Sequence, residues 1–503
     1  MYDKIGACRL KNKNFNGYLQ PNKTTGFPAN FQSIMIKKLL ISVVILAVLY
    51  VAAIFYLESR DPLIKWDWSK IDTSKKHFPK DFIWGVATSA HQIEGGHQNI
   101  NSFGWWEQQK KANGEPTIEN GDLSGDACDN WNLYLEDIKL MQRLHVNSYR
   151  FSVSWSKIMP EKGVVDTAAL QHYKIMCDSL VAVGIEPMVT LQHVTVPMWF
   201  YRMGAFEKEE NIRYFVDFTK VVYMALHDKV KYWGTINEPS VYMFDSYFSG
   251  NYAPGVSDPQ LAAKVLFNMM KAHVAIYKLF KTLPGGEKSK IGLVKNMMQL
   301  DAYRKWNILD QFIKFNADNV YNEVLLRLFK TGKYKFYMPG FVDFEGEIPD
   351  APKTLDYIGL NYYSHYAFKF TGNLEESLEP LPYPGEPMTD MDYTIYPEGI
   401  YRAIKRIAEL DVPIIITENG IADAKDDRRA QFIDRSLYAV SKAIEDGYDV
   451  RGYYYWSLMD NFEWNLGYGK RFGLYKVDFK TKKRTLREGA KEYIRIIDEN
   501  TGK

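Results

Sequence analysis

Eight short β-like runs recur along this chain with stretches of helical periodicity between them, and this alternation constrains the fold more than any other feature of the sequence. The runs cover residues 82–90, 146–155, 186–193, 231–238, 290–296, 355–363, 413–418 and 451–456. Between them, apolar residues recur at helical spacing over 131–144, 167–183, 212–227, 261–283, 308–330, 398–410 and 430–446. Strand then helix, repeated in this way, predicts an α/β fold of the (β/α)8 TIM-barrel type. A doubly wound open sheet would need a glycine-rich phosphate loop after an early strand, and neither GxGxxG nor GxxxxGK[ST] occurs. No second linker interrupts the chain after Phe78, so 78–500 is read as one catalytic-sized domain.

An N-terminal transmembrane helix is expected ahead of the barrel. Residues 39–57 carry no charge, and about 20 apolar residues suffice to cross a bilayer. Lys4, Arg9, Lys11, Lys13, Lys23, Lys37 and Lys38 precede the run against Asp3 alone, which places the N-terminus in the cytoplasm and the barrel outside it. The expected organisation is a cytoplasmic segment 1–35, read as an upstream extension absent from the mature protein, a transmembrane signal-anchor 36–57, a polar linker 58–77 and the barrel 78–500. Secretion after cleavage near Val51-Ala52-Ala53 is the alternative. The one N-glycosylation sequon, Asn22-Lys23-Thr24, falls on the cytoplasmic side.

Composition excludes several classes. Charged residues make up 25% and the net charge is +2, so nothing suggests a nucleic-acid partner. Cys8, Cys128 and Cys177 form no CxxC or Cys/His spacing, so neither a metal, a disulfide framework nor any other cofactor is expected. Aromatic content of 15% suits a large core and sugar stacking equally.

Polar residues gather at the ends of the β-like runs: His193, Asn237 with Glu238, Asn296, Asn361 with Tyr363, Glu418 and Trp456, with Arg150 inside the second run and Gln92 and Glu94 just after the first. In a barrel these ends share one funnel at the C-terminal face, where barrel enzymes do chemistry. A carboxylate at the mouth of a buried strand is costly without a task. Two of them, Glu238 and Glu418, are what acid/base-plus-nucleophile glycoside hydrolysis requires. The loops 97–127 and 371–396 are expected to overhang the funnel.

Five stretches carry a resemblance: 82–95 (FIWGVATSAHQIEG), 149–152 (YRFS), 235–239 (TINEP), 416–420 (ITENG) and 455–464 (YWSLMDNFEW). In this order they resemble glycoside hydrolase family 1, the β-glucosidases and their relatives. The resemblance implies a retaining mechanism with Glu418 as nucleophile and Glu238 as acid/base, and with Arg150 and Tyr363 contacting the nucleophile. It also implies that Gln92, His193, Asn237, Asn296, Glu463 and Trp464 hold the sugar hydroxyls, with Trp456 as the platform beneath the ring and Phe472 beside it. Glu463 argues by charge against a 6-phosphorylated sugar, whereas Val194-Thr195-Val196 after His193 departs from the family pattern and leaves gluco, manno and galacto preferences open.

The sequence therefore points to a β-glycosidase of neutral sugars, most of all β-glucosides. A membrane-tethered transglycosylase acting on glycolipids is the second reading, and a non-catalytic sugar receptor the third. The expected partners are a β-glycoside or glycolipid and, through residues 39–57, a membrane.

Overall fold

A computed structural model describes residues 29–97 and 100–502. The segment 1–28, with Cys8, the sequon and most of the N-terminal cations, lies outside them. The chain divides into two units, Met1–Tyr56 and Leu57–Lys503. In the first, the helix Ala29–Ser59 contains an apolar stretch, Ser33–Ser59, of 27 residues. At 1.5 Å per residue this reaches about 40 Å, against about 30 Å of bilayer hydrocarbon.

The second unit is a closed barrel of eight parallel strands: β1 (Ile83–Ala87), β2 (Ser148–Ser152), β3 (Glu186–His193), β4 (Tyr232–Asn237), β5 (Lys290–Asn296), β6 (Tyr357–Asn361), β7 (Ile414–Asn419) and β8 (Val450–Trp456). Each pairs with its sequence neighbours, and β1 closes on β8 from Ile83 opposite Gly452 to Ala87 opposite Trp456. The strands are buried almost throughout, which explains runs such as Ile414-Ile415-Ile416: with helices outside and side chains inside, neither face meets water. Helix starts follow ordinary capping. Asp166 accepts from the amides of Ala168 and Ala169, and Asp258 from those of Gln260 and Leu261 just ahead of Pro259.

The barrel interior is filled in layers. Ile83, Met188, Tyr357, Ile415 and Tyr454 pack together inside it. These rings fit only because their neighbours are glycine. A Cβ on Gly85 would lie 2.2 Å from the Tyr454 ring, and one on Gly292 would lie 2.6 Å from the Tyr357 carbonyl oxygen.

Additions to the barrel escaped the sequence reading. Gln299–Ala302 and His365–Phe368, shortly after β5 and β6, form a separate parallel pair, and Lys333–Met338 pairs with Val342–Glu347 as a hairpin. The expected helix 308–330 is broken into Ile308–Asp318, a π-helical turn Asn319–Glu323 and Val324–Thr331. A second π turn, Phe244–Phe248, follows the short helix Pro239–Met243. Residues 58–77, read as a linker, lie against the barrel's helices. Asp61 pairs with Arg402 at 3.2 Å, the Trp68 indole donates to Glu398 at 3.0 Å, and Lys76 pairs with Asp434.

Gly292→Ala is expected to destabilise the barrel by about 1–3 kcal/mol through overpacking against Tyr357, read as a lowered midpoint of thermal unfolding. An unchanged midpoint would show that the interior has slack.

Candidate active site

At the C-terminal end of the strands lies a cavity of about 580 Å³. His193, Glu238, Asn296, Tyr363, Glu418, Trp456, Glu463, Trp464 and Phe472 line it. Arg150, Asn237 and Gln92, also expected at the site, are fully buried behind this lining. Their polar atoms bond to lining residues (Arg150 to Glu418, Asn237 to His193, Gln92 to Glu463) and to buried neighbours behind them.

Both strand-end carboxylates are delivered by irregular backbone. The pairing of β4 with β5 shifts register between Gly234 and Asn237, and that of β7 with β6 shifts between Ile416 and Glu418. Glu238 itself has φ 44 and ψ 58. A left-handed backbone is uncommon for a residue with a side chain and costs of order 1–3 kcal/mol, a feature that clusters at functional sites. The turn ends β4 and starts the next helix at Pro239, and Glu238 joins the cavity lining.

Arg150 anchors the floor. Its Nη1 donates to Glu418 Oε1 at 2.5 Å and to the Thr417 carbonyl at 3.2 Å, its Nη2 to Asn237 Oδ1 at 2.6 Å, and its Nε to Thr190 Oγ1 at 3.2 Å. The Tyr363 hydroxyl donates to the other oxygen of Glu418 at 2.7 Å. Both oxygens of Glu418 therefore hold strong donors, one of them on a cation.

Glu238 has a different environment. Asn296 Nδ2 and Asn361 Nδ2 each donate to its Oε1 at 2.9 Å, and among the described residues no cation bonds to it. Burial, reinforced by the charge of Glu418, pushes its pKa up to about 7, against the opposing pull of the two amides and Arg150. Glu463 is raised to about 8 by burial and by both other glutamates, and it accepts from Gln92 Nε2 at 3.3 Å.

The sugar-holding candidates form a linked wall. Asn237 Nδ2 donates to His193 Nε2 at 3.1 Å, so His193 carries its proton on Nδ1. That buried nitrogen has no partner among the described residues. Burial and the Arg150 charge hold this imidazole neutral. The His193 ring lies 5.9 Å from both Trp456 and Trp464, with interplanar angles of 27° and 24°. Ser89 fixes Gln92 by donating to its Oε1 at 2.6 Å.

Two expectations are corrected. Glu94 does not reach the funnel. It accepts from Tyr173 at 2.7 Å and lies 3.1 Å from Lys157 and 3.4 Å from His97; burial raises its pKa, but the Lys157 charge and the hydrogen bonds from His97 and Tyr173 outweigh it and hold the pKa down to about 2. None of the described residues of the loop 97–127 is among the residues that line the cavity. Instead Phe103 packs edge-on against Trp464 at 5.0 Å, so the loop supports the wall from behind. The loop 371–396 does reach the cavity, through Leu378, Pro380, Met391 and Tyr393.

Sequence reasoning missed Lys295. It is buried beside Asn296, hydrogen-bonds that residue's carbonyl and Asn322, and stands 4.6 Å from the centre of the Tyr321 ring. Burial lowers its pKa to about 7, with Glu238 acting against the shift. A lone lysine inside Ile291-Gly292-Leu293-Val294-Lys295 was the available signal. Among the described residues no group of three or more His, Cys, Asp or Glu side chains could hold a metal.

Comparison with known proteins agrees with this architecture. The model of glycosyl hydrolase family 1 matches residues 74–502. Beta-glucosidase A of Thermotoga maritima is 32% identical over 447 residues, spanning 84% of this chain and 98% of that protein. A 6-phospho-beta-galactosidase of Clostridium acetobutylicum is 32% identical over 478 residues, spanning 84% and 97%. Among solved structures, the beta-glycosidase from Pyrococcus horikoshii matches with a TM-score of 0.76 at 38% identity, covering 84% of this chain and 95% of that one. The chain belongs to glycosyl hydrolase family 1 and is a glycosidase that hydrolyses O-glycosyl compounds.

Arg150→Met would leave the Glu418 carboxylate buried without its cation, a change that typically costs about 3–5 kcal/mol. A clear fall in melting temperature is expected, partly restored in Arg150→Met/Glu418→Gln. Equal melting temperatures for the single and double variants would mean that the pair does not hold the floor together.

Proposed function

From membership of this family and the geometry of the site, we propose that the protein is a retaining β-glycosidase of neutral sugars, chiefly β-glucosides, tethered to a membrane by residues 39–57. The observation that carries this reading is the contrast between its two strand-end carboxylates. Glu418 is held on one oxygen by Arg150 and on the other by Tyr363, which fixes its carboxylate in place at the cavity floor, as a nucleophile requires. Glu238 lies half-buried in the cavity wall, accepts from two carboxamides, and has its pKa raised to about 7 by desolvation and the charge of Glu418, which suits a group that must hold a proton and then give it up.

In the first step a Glu418 oxygen attacks the anomeric carbon. The bond from that carbon to the aglycone oxygen breaks, and the Glu238 proton passes to the leaving oxygen. Oε1 of Glu238 already accepts from two amides, so the transferable proton resides on Oε2. In the second step Glu238, now ionised, takes a proton from water. The water oxygen attacks the anomeric carbon and frees Glu418. Transfer to a lipid hydroxyl in place of water uses the same intermediate, and product analysis with and without a lipid acceptor separates the two outcomes.

Charge supports a neutral sugar. No lysine or arginine is among the cavity's lining residues, whereas Glu238, Glu418 and Glu463 are. Lys470, the nearest sequence candidate for a phosphate, donates to the Asp390 carbonyl at 2.8 Å. A phosphorylated substrate would meet four acidic side chains, Asp245 among them, and no cation among the described residues of the cavity wall. The tether rests on the length and composition of Ser33–Ser59, and the cations ahead of it favour a cytoplasmic N-terminus.

Because the first step needs Glu238 protonated, kcat/KM is expected to be lost as pH rises through about 7. A limb that stays put in Glu238→Gln would assign it to another group. Glu418→Gln is expected to abolish turnover, and an activated 2-fluoro glucoside should leave a covalent adduct on Glu418, read by peptide mass. Glu238→Ala should slow alkyl glucosides far more than activated aryl ones, and equal losses would remove it from the acid role.

A further inference from the structure

We infer that Lys295 is a positioning residue for the acid/base glutamate: its ammonium group fixes Asn296 and the π-helical turn Asn319–Glu323, and through them the carboxyl of Glu238. This rests on the two-glutamate reading above and extends it to a group that does not touch the sugar. Lys295 and Asn296 are the last two residues of β5. Successive side chains of a strand point to opposite faces. Asn296 lines the cavity, whereas Lys295, 2% exposed, does not and packs behind it.

Its contacts close a ring with Glu238. The ammonium donates to the Asn296 carbonyl and, at 3.3 Å, to Asn322 Oδ1, and it lies 4.6 Å from the centre of the Tyr321 ring. The Tyr321 hydroxyl donates to Asn296 Oδ1 at 3.4 Å, and Asn296 Nδ2 donates to Glu238 Oε1 at 2.9 Å. Ser240, two residues after Glu238, returns to the same turn by donating to the Tyr321 carbonyl at 3.1 Å. Lys295 therefore holds the backbone of Asn296, and Tyr321 holds its side chain. Turns of this π type are rare and frequent at functional sites, and here the lysine bonds one residue of the turn and stacks on the next.

Charge gives the lysine a role that a neutral side chain could not fill. A buried ammonium is costly without a counter-ion, and both acceptors of Lys295 are neutral. The charged groups acting on it are Glu238 at the end of β4, Arg406 on the helix Gly399–Ile407 and Asp318 at the end of the helix Ile308–Asp318, and Glu238 acts most strongly. Asp318 is already paired with Arg406, at 2.6 and 2.5 Å. On Glu238 the charge of Glu418 raises the pKa, and the amides of Asn296 and Asn361 and the charge of Arg150 lower it. Coupling between two titrating groups is reciprocal, so Lys295 adds a further cation that favours the ionised form of Glu238. Placed behind Asn296 and not bonded to the carboxyl, it moderates Glu238 without fixing that residue as an anion.

The test compares Lys295→Met, which keeps the length and loses the charge, with Lys295→Arg, which keeps the charge, in the full chain in phosphatidylcholine nanodiscs. NMR of protein labelled at its glutamate carboxyl carbons follows the titration of Glu238, whose signal is the one missing from Glu238→Gln. Removing a cation disfavours the carboxylate, so in Lys295→Met the midpoint and the alkaline limb of kcat/KM are both expected to rise, by about half a pH unit or more. Lys295→Arg should leave them in place. Below the limb, Lys295→Met should lose about tenfold or more in kcat/KM on methyl β-glucoside, which needs the proton, and less than about twofold on p-nitrophenyl β-glucoside. An unmoved midpoint, the same shift in Lys295→Arg, or equal losses on the two glycosides would overturn the proposal, since a merely structural lysine would give them. Should Lys295→Met not fold, Lys295→Gln takes its place, and failure of both to fold would assign Lys295 to the fold alone. A limb that persists in Glu238→Gln, or no turnover of either glycoside by the parent protein, would count against the two-glutamate reading instead. The NMR midpoint does not depend on turnover and still decides whether Lys295 governs Glu238.

Discussion

The buried guanidinium of Arg150 is the interaction on which the site depends. A cation at the centre of a barrel is expensive to desolvate, by several kcal/mol even after relaxation, and it persists only where its donors are met. Here they reach Glu418, Asn237, Thr190 and the Thr417 carbonyl. One planar fork thus ties β2 to β3, β4 and β7, fixing the separation of strand ends that are far apart in sequence. Its effects continue outward. By holding Asn237 Oδ1 it orients that amide toward His193, and Asn361, which shares the same oxygen at 3.3 Å, goes on to Glu238. The position of every polar group on the floor follows from this side chain.

The same network differentiates two chemically identical side chains. Glu418 is buried and Glu238 half-buried, at the ends of neighbouring parts of one barrel floor. What separates them is the kind of donor each receives. A cation and a phenol bond to one, and two carboxamides to the other. Neutral amides offset burial only in part, so Glu238 remains near 7. Moving the cation from one carboxylate to the other would exchange their roles. This is why the arginine must be fixed by three strands beyond the one that bears it.

How much of this was legible in the sequence follows from where each feature is encoded. The barrel strands were, because burial on both faces forces near-continuous apolar runs, and all eight lie within the runs read from the sequence, save Asn419 and Val450 at two strand ends. The site residues were too, since strand ends converge in any barrel. Glu94 was misplaced because a polar residue just after a strand can turn either toward the funnel or toward a neighbouring helix, and only packing against Lys157 and Tyr173 decides. The π turns were invisible because one extra residue in a helical turn barely alters an apolar pattern. The strands Gln299–Ala302 and His365–Phe368 are too short to stand out from loop sequence. Lys295 was visible but unread: a single charge within an apolar strand has no periodicity of its own.

The unread parts share a location. The extension strands, both π turns and the hairpin all contribute to the apolar side of the cavity, while the legible parts supply the groups that hold and cleave a sugar. A barrel strand is constrained by its neighbours on either side and so leaves a regular imprint on the sequence. Loops above the barrel are constrained mainly by what they must enclose. Around a polyhydroxylated ring they would have to present amides, carboxylates and indoles at fixed angles. Here they present methionine, leucine, valine and phenylalanine from four separate chain segments, and irregular turns bring them together without a hydrogen-bonding frame. Shape and apolarity are the main demands on that side of the wall, and neither leaves a periodic imprint on the sequence.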